Sequence, residues 1–363
     1  MLSARGRAWS KISYMHGEEN LYHPVHNPNG VVTLNMAENW FMKEDMTNYI
    51  NTHVRTPLSV VCISDDETLI QSNFSVQCCT YGEGYTEWVD VGHTDQFTPD
   101  CVELYEKGFE EAKARGSNVK ALLICNPHNP LGLLKLCAAK GIHLISDEIY
   151  ALTVYNRDNR PSEKFTSIRA IDYTGIIDPR QVHILYGMAK DYAAAGLRLG
   201  CIISQNTEFS NAIRAGCRFS SPSQLSMEIA AKLLEDQDHM KQFLAKSHRE
   251  ILKSRLLTEQ LLSDANVSYS DKGNAAFFLW IDLTSYLPLE ETGGDGWAAE
   301  KLLSERFTKA GVLMDTGAEY HTPVPGRFRL MHTVDEVTLR EGFRRLVLPS
   351  SPFSPLYRRV LIL

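Results

Sequence analysis

Three short runs of apolar residues lie at 121–125, 142–146 and 182–186, and polar residues follow each of them at once. Near-continuous apolar runs of this length are typical of strands that are buried on both faces of a parallel sheet. The stretches between the runs have helical spacing, which indicates helices that connect and cover the strands. The sequence therefore predicts an α/β fold in which these runs form neighbouring parallel strands.

The polar residues that follow the runs predict a binding crevice. Open parallel sheets bind ligands just beyond the carboxyl ends of their strands, so the three loops are expected to meet there. Lys190 follows the third run, where its amine could form a Schiff base, although a lysine at this place is also compatible with a solvated loop. Asp147 follows the second run and could keep a pyridine nitrogen protonated, although its position also suits a helix N-cap.

Composition and charge limit the partners. A formal net charge of -7 over 363 residues gives no general attraction for nucleic acid or for anionic membrane surfaces, so a small molecule is the expected partner. Nowhere do 18 apolar residues run together, and the eight cysteines show no spacing typical of zinc ligands. We expect a cytoplasmic protein with reduced thiols, no metal site, no nucleic-acid partner and no membrane partner.

The second half of the chain predicts a smaller domain. Residues 224–262 have helical spacing and are expected to lead out of the large domain. From 267 to 346, strand candidates occur at 275–281 and 327–332, with helical stretches between and after them. This mixture is typical of an α+β domain. The last residues, 347–363, are first proline-rich and then apolar, and they fit neither domain.

Five motifs occur in a fixed order along the chain: A-E-N at 37–39, N-P-H-N-P-L-G at 126–132, S-D-E-I-Y-A-L at 146–152, K-D-Y-A-A-A-G-L-R-L-G at 190–200 and G-R-F-R at 326–329. Together they resemble the class I/II aminotransferases, which use pyridoxal 5'-phosphate (PLP), and in particular the 1-aminocyclopropane-1-carboxylate (ACC) synthase-like branch.

The resemblance runs from about residue 34 to residue 346. It implies the aspartate aminotransferase-like fold of PLP-dependent transferases, with a large domain on a mainly parallel sheet and a smaller α+β domain. The implied divisions are an N-terminal arm with part of the small domain at 1–45, a PLP-binding large domain at 46–235, a small C-terminal domain at 236–346 and an atypical tail at 347–363.

The resemblance also implies a role for each cofactor-binding residue. Lys190 matches the lysine that carries PLP as a Schiff base and moves the substrate Cα proton. Asp147 matches the partner of the pyridinium nitrogen, and Tyr150 and Asn129 match the donors to the phenolic oxygen, which favour its ionised form. Arg198 matches the arginine that pairs with the cofactor phosphate.

Two further residues match substrate-binding positions of the family. Arg329 resembles the arginine that clamps the substrate α-carboxylate in a bidentate fork. Arg327 lies two residues away on the same strand face and competes for this role, and a solvent-facing strand residue is the alternative for Arg329. Glu38 matches the segment that closes over the substrate in ACC synthases, with a surface acid as the alternative.

The chain departs from the family where the cofactor phosphate binds. Family members place two hydroxyl residues, in an S-x-S-K pattern, where this chain has Gly187 and Ala189. The chain is shortened between about 52 and 88, where the family has a phosphate-binding turn at a helix N-terminus. Residues 81–85 resemble an ordinary turn more than a substitute for it. A second, shorter loss follows Gly132, where residues 133–136 replace the usual turn and helix start.

These observations lead to two hypotheses. The first is an enzyme of PLP-dependent amino-acid chemistry, most simply an aminotransferase related to ACC synthase. An elimination of the ACC synthase type is the related reaction that this hypothesis also allows. The second is a non-catalytic or impaired relative that binds PLP weakly or not at all. In either case the resemblance implies a homodimer, and an amino acid is the expected substrate of the enzyme.

Overall fold

The structure, a computed structural model, describes residues 20–53, 70–71, 89, 100–126, 130–157, 164–217, 221–271 and 273–346. The start of the predicted arm, most of the shortened segment and the predicted tail lie outside these residues. The described chain forms two units: the larger contains Ala37–Lys253 and Gly273–Phe277, and the smaller contains residues 20–36, 254–271 and 278–346. The domain boundaries predicted at 45 and 235 stay predictions.

The larger unit is built on a five-stranded sheet of β2 (Ile70–Gln71), β3 (Ala121–Cys125), β4 (His143–Asp147), β5 (Val182–Gly187) and β6 (Gly200–Ser204). The strand order is β2-β6-β5-β4-β3. Strands β3, β4 and β5 are parallel, whereas β6 and β2 run antiparallel to their neighbours. The predicted parallel arrangement of the three apolar runs is therefore confirmed.

The second predicted strand begins one residue later than its apolar run. Gly141 has a φ of 66°, which turns the chain out of the preceding helix. The Ile142 amide still bonds the carbonyl of Cys137, at 3.0 Å, and so belongs to the helix end. The strand therefore starts at His143.

Helices cover one face of this sheet and form a second core beside it. The helices are α1 (Lys43–His53), α2 (Asp100–Ala114), α3 (Pro130–Lys140), α4 (Thr207–Gly216), α5 (Gln224–Glu235) and α6 (Gln237–Asp264). Leu133 and Leu134 of α3 are fully buried against Ile124, Leu144 and Ile184 of the sheet. The segment that replaces the family's turn and helix start is thus itself helical and packs into the core.

The smaller unit contains a four-stranded antiparallel sheet, a separate pair of short parallel strands and two helices. The elements are β1 (Val32–Thr33), β7 (Ser268–Tyr269), β8 (Phe278–Asp282), α7 (Gly296–Lys309), β9 (Val312–Leu313), β10 (Asp315–Thr316), β11 (Arg327–Met331) and α8 (Glu336–Leu346). The strand order in the four-stranded sheet is β10-β11-β8-β7, and β1 pairs with β9. Phe307 and Phe328 meet edge to face in its core, with ring centroids 5.7 Å apart.

The two strands predicted for this unit are confirmed as β8 and β11. β8 begins three residues later than its apolar run because Ala276 has a φ of 64°, which is incompatible with an extended strand.

None of the helices in the described part of the chain has the length and apolar character that a membrane-spanning helix needs.

Candidate active site

The carboxyl ends of two parallel strands bring Asp147 and the Lys190 segment to one edge of the larger unit's sheet. Asp147 is the last residue of β4, and it lies opposite Cys125 of β3 and Leu185 of β5. β5 ends at Gly187, two residues after Leu185, and Lys190 follows in the turn beyond it. Parallel strands in register therefore place the carboxylate and the lysine at the same end of the sheet, as the sequence predicts.

The turn that carries Lys190 is fixed by both backbone bonds and packing. The Met188 amide bonds the Leu199 carbonyl at 3.2 Å, and the Ala194 amide bonds the Met188 carbonyl at the same distance. Met188 and Tyr192, on either side of Lys190, are buried in the core that α1, α5 and α6 form. Lys190 thus extends from a packed segment rather than from a solvated loop.

The Lys190 amine reaches the A-E-N segment. Its Nζ donates a hydrogen bond to the carbonyl oxygen of Ala37 at 2.6 Å. Glu38, the next residue, is partly buried, which differs from the surface acid given as its alternative. Asn39 is 2% exposed and donates through its side chain to Ser247 Oγ at 2.8 Å, which anchors this segment on α6. The first and fourth motifs therefore meet at the lysine amine.

Asp147 is a half-buried carboxylate with a local hydrogen bond. Its Oδ1 accepts the Ile149 amide at 3.1 Å, a hydrogen bond within the turn after β4. This bond is not the helix N-cap given as the alternative, because the 3-10 helix that follows has Tyr150 as its N-cap. Burial raises the pKa of the Asp147 carboxyl, while the Ile149 bond opposes the rise and the neighbouring Glu148 adds to it. A cation placed against this carboxylate would restore its charged form.

Tyr150 lies in the turn after β4. Its carbonyl accepts the Thr153 amide at 3.0 Å and the Thr153 hydroxyl at 2.8 Å, so its backbone starts a short 3-10 helix at Ala151–Thr153. Its ring packs edge to face on Phe277, with centroids 5.6 Å apart. Asn129, the other predicted donor to the phenolic oxygen, lies outside the described residues.

Two buried acids that the sequence reasoning missed hold these segments together. Glu148 is 4% exposed, and its Oε1 accepts bonds from the Asn126 side chain and from the Ile168 amide, at 3.1 and 2.9 Å. Asp191 is 1% exposed, and its Oδ2 accepts the Tyr186 hydroxyl at 2.6 Å and the Leu152 amide at 3.1 Å. Asp191 therefore ties the Lys190 turn to the turn that contains Tyr150.

Asp191 differs electrostatically from an ordinary carboxyl. Burial raises its pKa to about 7, although the hydrogen bonds from Tyr186 and Leu152 act in the opposite direction. Burial, followed by the charge of Asp191, also raises the pKa of the Tyr186 phenol. The only sequence signal for this residue is its place directly after Lys190, because its burial depends on contacts far along the chain.

Arg198 and Gly187 are two positions at which the sequence resemblance concerns the cofactor phosphate. Arg198 has a left-handed backbone with a φ of 55°, and its exposed guanidinium donates to the Ala195 carbonyl of its own turn at 3.1 Å. A Cβ atom added to Gly187 would lie 3.0 Å from the Leu199 carbonyl oxygen and 3.1 Å from Cδ1 of Ile149. A side chain at position 187 would therefore be tightly packed, and its neighbours would have to move by a few tenths of an ångström.

The predicted carboxylate clamp belongs to the smaller unit. Arg329 lies on β11 and forms an ion pair with Asp315, which is directly opposite it on β10. Arg327 is ion-paired with Asp282 of β8 at 3.1 Å. Arg329 is the more buried of the two, with 14% of its side chain exposed against 28%, and it is not the solvent-facing residue of its alternative.

Comparison with known proteins agrees with this geometry. The family model described as aminotransferase class I and II matches residues 85–346, so the chain belongs to that family, in its ACC synthase-like branch. The chain is 30% identical over 256 residues to the bovine 1-aminocyclopropane-1-carboxylate synthase-like protein 1, a match that covers 68% of this chain and 49% of the relative. It therefore spans about half the length of that protein.

Two other similarities bear on fold and activity. A Thermus thermophilus aspartate aminotransferase double mutant aligns with a TM-score of 0.60 at 17% identity, over 95% of this chain and 96% of the other, which supports the fold. A mouse relative bears the name probable inactive 1-aminocyclopropane-1-carboxylate synthase-like protein 2 and is 28% identical over 69% of this chain and 42% of its own length.

The described residues fit PLP at its ring and less well at its phosphate. A partly buried carboxylate and a lysine amine at the same edge of the sheet suit the pyridine nitrogen and the carbonyl group. For the phosphate, Ala189 offers no hydroxyl, and a side chain at Gly187 would be tightly packed. Arg198 is the residue that would pair with the phosphate.

Proposed function

We propose that the chain is a PLP-dependent enzyme of amino-acid chemistry that acts through covalent attachment of the cofactor to Lys190. The observation that supports this most is the position of Asp147 and the Lys190 turn at one sheet edge, with the lysine amine 2.6 Å from the Ala37 carbonyl of the A-E-N segment. An aminotransferase related to ACC synthase is the simplest form of this proposal, and a cytoplasmic homodimer is its expected state.

When bound, PLP supplies an electron sink that stabilises negative charge on the substrate carbon bearing the amino group. In this proposal, the Lys190 amine holds and moves the proton of that carbon at its Nζ. Its hydrogen bond to the Ala37 carbonyl would orient the free amine before the cofactor binds. Asp147 holds the proton on the ring nitrogen, and the positive charge there offsets the burial that raises the pKa of its carboxyl.

The remaining residues bind and orient. The Tyr150 hydroxyl, with Asn129, donates to the phenolic oxygen, and Arg198 pairs with the phosphate. Arg329 binds the substrate carboxylate, and Glu38 lies in the segment that closes over the substrate.

A second candidate function is that of an impaired relative that keeps the fold but binds PLP weakly. The crowding at Gly187 and the methyl group of Ala189 favour it, because each hydrogen bond lost to a charged group removes about 1.5–3 kcal/mol. Two such losses weaken cofactor binding by roughly 100-fold or more. The name of the mouse relative points in the same direction.

Two measurements separate the proposals. Titration of PLP into the protein, followed by visible absorbance, gives the affinity for the cofactor, and Lys190→Ala serves as the variant without the reacting amine. Incubation of the PLP-saturated protein with L-amino acids and analysis for keto acids or elimination products tests turnover. Saturable absorbance with product supports the enzyme. Absorbance without product supports the impaired relative, and no Lys190-dependent absorbance contradicts PLP attachment.

A further inference from the structure

The guanidinium of Arg329 already holds a carboxylate that belongs to the protein. Asp315 lies opposite Arg329 in the antiparallel register of β10 and β11, and the two side chains form an ion pair through Nη2 of Arg329. The same Nη2 donates to the carbonyl oxygen of Asn35 at 3.1 Å. This part of the smaller unit therefore binds a carboxylate, but an internal one.

Aromatic rings complete this arrangement. The guanidinium carbon of Arg329 lies 4.5 Å from the ring centroid of Tyr320 and 4.9 Å from that of Phe278. The Tyr320 hydroxyl donates to the Asp315 oxygen that pairs with Arg329, at 2.9 Å. With 14% and 16% of their side chains exposed, Arg329 and Asp315 are shielded from water, which strengthens the charge-assisted bond.

We propose that Asp315 is a specificity-determining residue that occupies Nη2 of Arg329, one arm of its fork, and thereby weakens the binding of α-amino acids. The inference rests on the clamp role proposed for Arg329. A substrate carboxylate has to displace Asp315 or share one cation with a second negative charge, and close like charges disfavour that state. An α-amino acid therefore binds with lower affinity than it would at an arginine without this internal partner.

The chain provides a matched control on the same strand face. Arg327 is two residues from Arg329 and pairs with Asp282, directly opposite on β8, at 3.1 Å. This pair is more exposed, with 28% and 27% of the side chains accessible. Removal of the Asp282 charge changes the local charge by the same amount but leaves the ion pair between Arg329 and Asp315 in place.

The test is the affinity of the purified protein for acetate, measured by NMR titration of the carbon-13-labelled anion, which requires neither PLP nor turnover. Asp315→Asn keeps an acceptor for Tyr320 but removes the negative charge. We expect it to bind acetate at least about tenfold more tightly than wild type, while Asp282→Asn matches wild type. Asp315→Ser replaces the asparagine variant if that variant does not fold, with the same expectation.

The Arg329→Ala change, made in wild type and in Asp315→Asn, separates the two ideas. Suppose that wild type and Asp315→Asn bind acetate with equal affinity and that Arg329→Ala removes this binding. Then Arg329 is a clamp, and the inference about Asp315 is wrong. If Arg329→Ala leaves the affinity of Asp315→Asn unchanged, acetate binds elsewhere and the clamp role itself fails. Tighter binding in Asp315→Asn that depends on Arg329 supports both.

Discussion

Asp191 shows how a single buried carboxyl can make the neighbourhood of Lys190 sensitive to pH. Its Oδ2 joins the Tyr186 hydroxyl and the Leu152 amide, and burial raises its pKa to about 7. A carboxyl whose pKa is higher in the folded state than in the unfolded state stabilises the fold most when it is protonated. Its stabilising effect is therefore complete below about pH 4 and is lost as the pH rises to about 7.

Asp191→Asn should remove this dependence. Relative to the variant, the free energy of unfolding of wild type should fall between pH 4 and pH 7, by about 4 kcal/mol at most. Urea unfolding at several pH values measures the difference, and Asp172→Asn, which changes an exposed carboxyl, is the control. Parallel pH curves for wild type and Asp191→Asn would show that Asp191 does not titrate in this range.

Serine substitutions before Lys190 should act differently at the two positions. The sequence alone suggests that Gly187→Ser and Ala189→Ser both restore phosphate donors, but a Cβ at 187 meets the Leu199 carbonyl at 3.0 Å. We expect Ala189→Ser to strengthen PLP binding by about tenfold, from one added bond to a charged group, and Gly187→Ser to give no gain. PLP titrations decide, and a gain at 187 alone would contradict this explanation.

The sequence predicts some site residues better than others. Asp147 and Lys190 could be found because the end of a buried strand is visible as the end of an apolar run. Asp315 could not, because its contact with Arg329 depends on the register of β10 and β11, which join segments separated by a loop. Glu148 and Asp191 were missed because their burial results from contacts with distant segments.

At the level of elements, a row of polar side chains crosses three strands near the amino ends of β4 and β5. His143 Nδ1 lies 2.7 Å from His183 Nε2, and His183 Nδ1 lies 2.8 Å from the Ser204 hydroxyl on β6. Burial, together with His143, lowers the pKa of His183 to about 4. The His183 imidazole, with its pKa lowered to about 4, therefore stays neutral in the folded protein at neutral pH.

Acid should weaken the sheet through His183. An unfolded histidine takes up a proton below about pH 6.5, whereas folded His183 resists until about pH 4, so stability falls as the pH drops through this interval. His183→Gln should reduce the loss by about 2 kcal/mol, as measured by urea midpoints at pH 7.5 and pH 5. His26→Gln, at an exposed histidine, is the control. An unchanged loss in His183→Gln would exclude His183 as its cause.

Strand prediction succeeded where hydrophobicity alone determines the element. β3 has the predicted bounds because its apolar run coincides with the strand. The run at 275–281 extends too far towards the N-terminus because Ala276 adopts a left-handed backbone, a conformation its residue type does not indicate. The Ala276 amide donates a hydrogen bond to the Thr153 hydroxyl oxygen at 2.8 Å, a long-range contact that composition does not reveal.

At the scale of the whole molecule, the fold is that of the aminotransferases, although the chain spans about half of its bovine relative. The larger unit contains Lys190 and Asp147, and the smaller unit contains Arg329. Cofactor attachment and substrate recognition are therefore expected to respond to separate changes, the first at the sheet edge and the second at Asp315.

The proposed function depends on attachment of PLP at Lys190. Borohydride reduction of the protein mixed with PLP, followed by peptide mass mapping, tests this attachment. We expect the added mass on the peptide that contains Lys190, at low PLP excess, and a lower yield of this peptide in Asp147→Asn. Attachment at Lys190 would be contradicted if the label were spread over surface lysines with none at Lys190. It would also be contradicted if Lys190→Ala caused no loss of total label, with other peptides labelled equally.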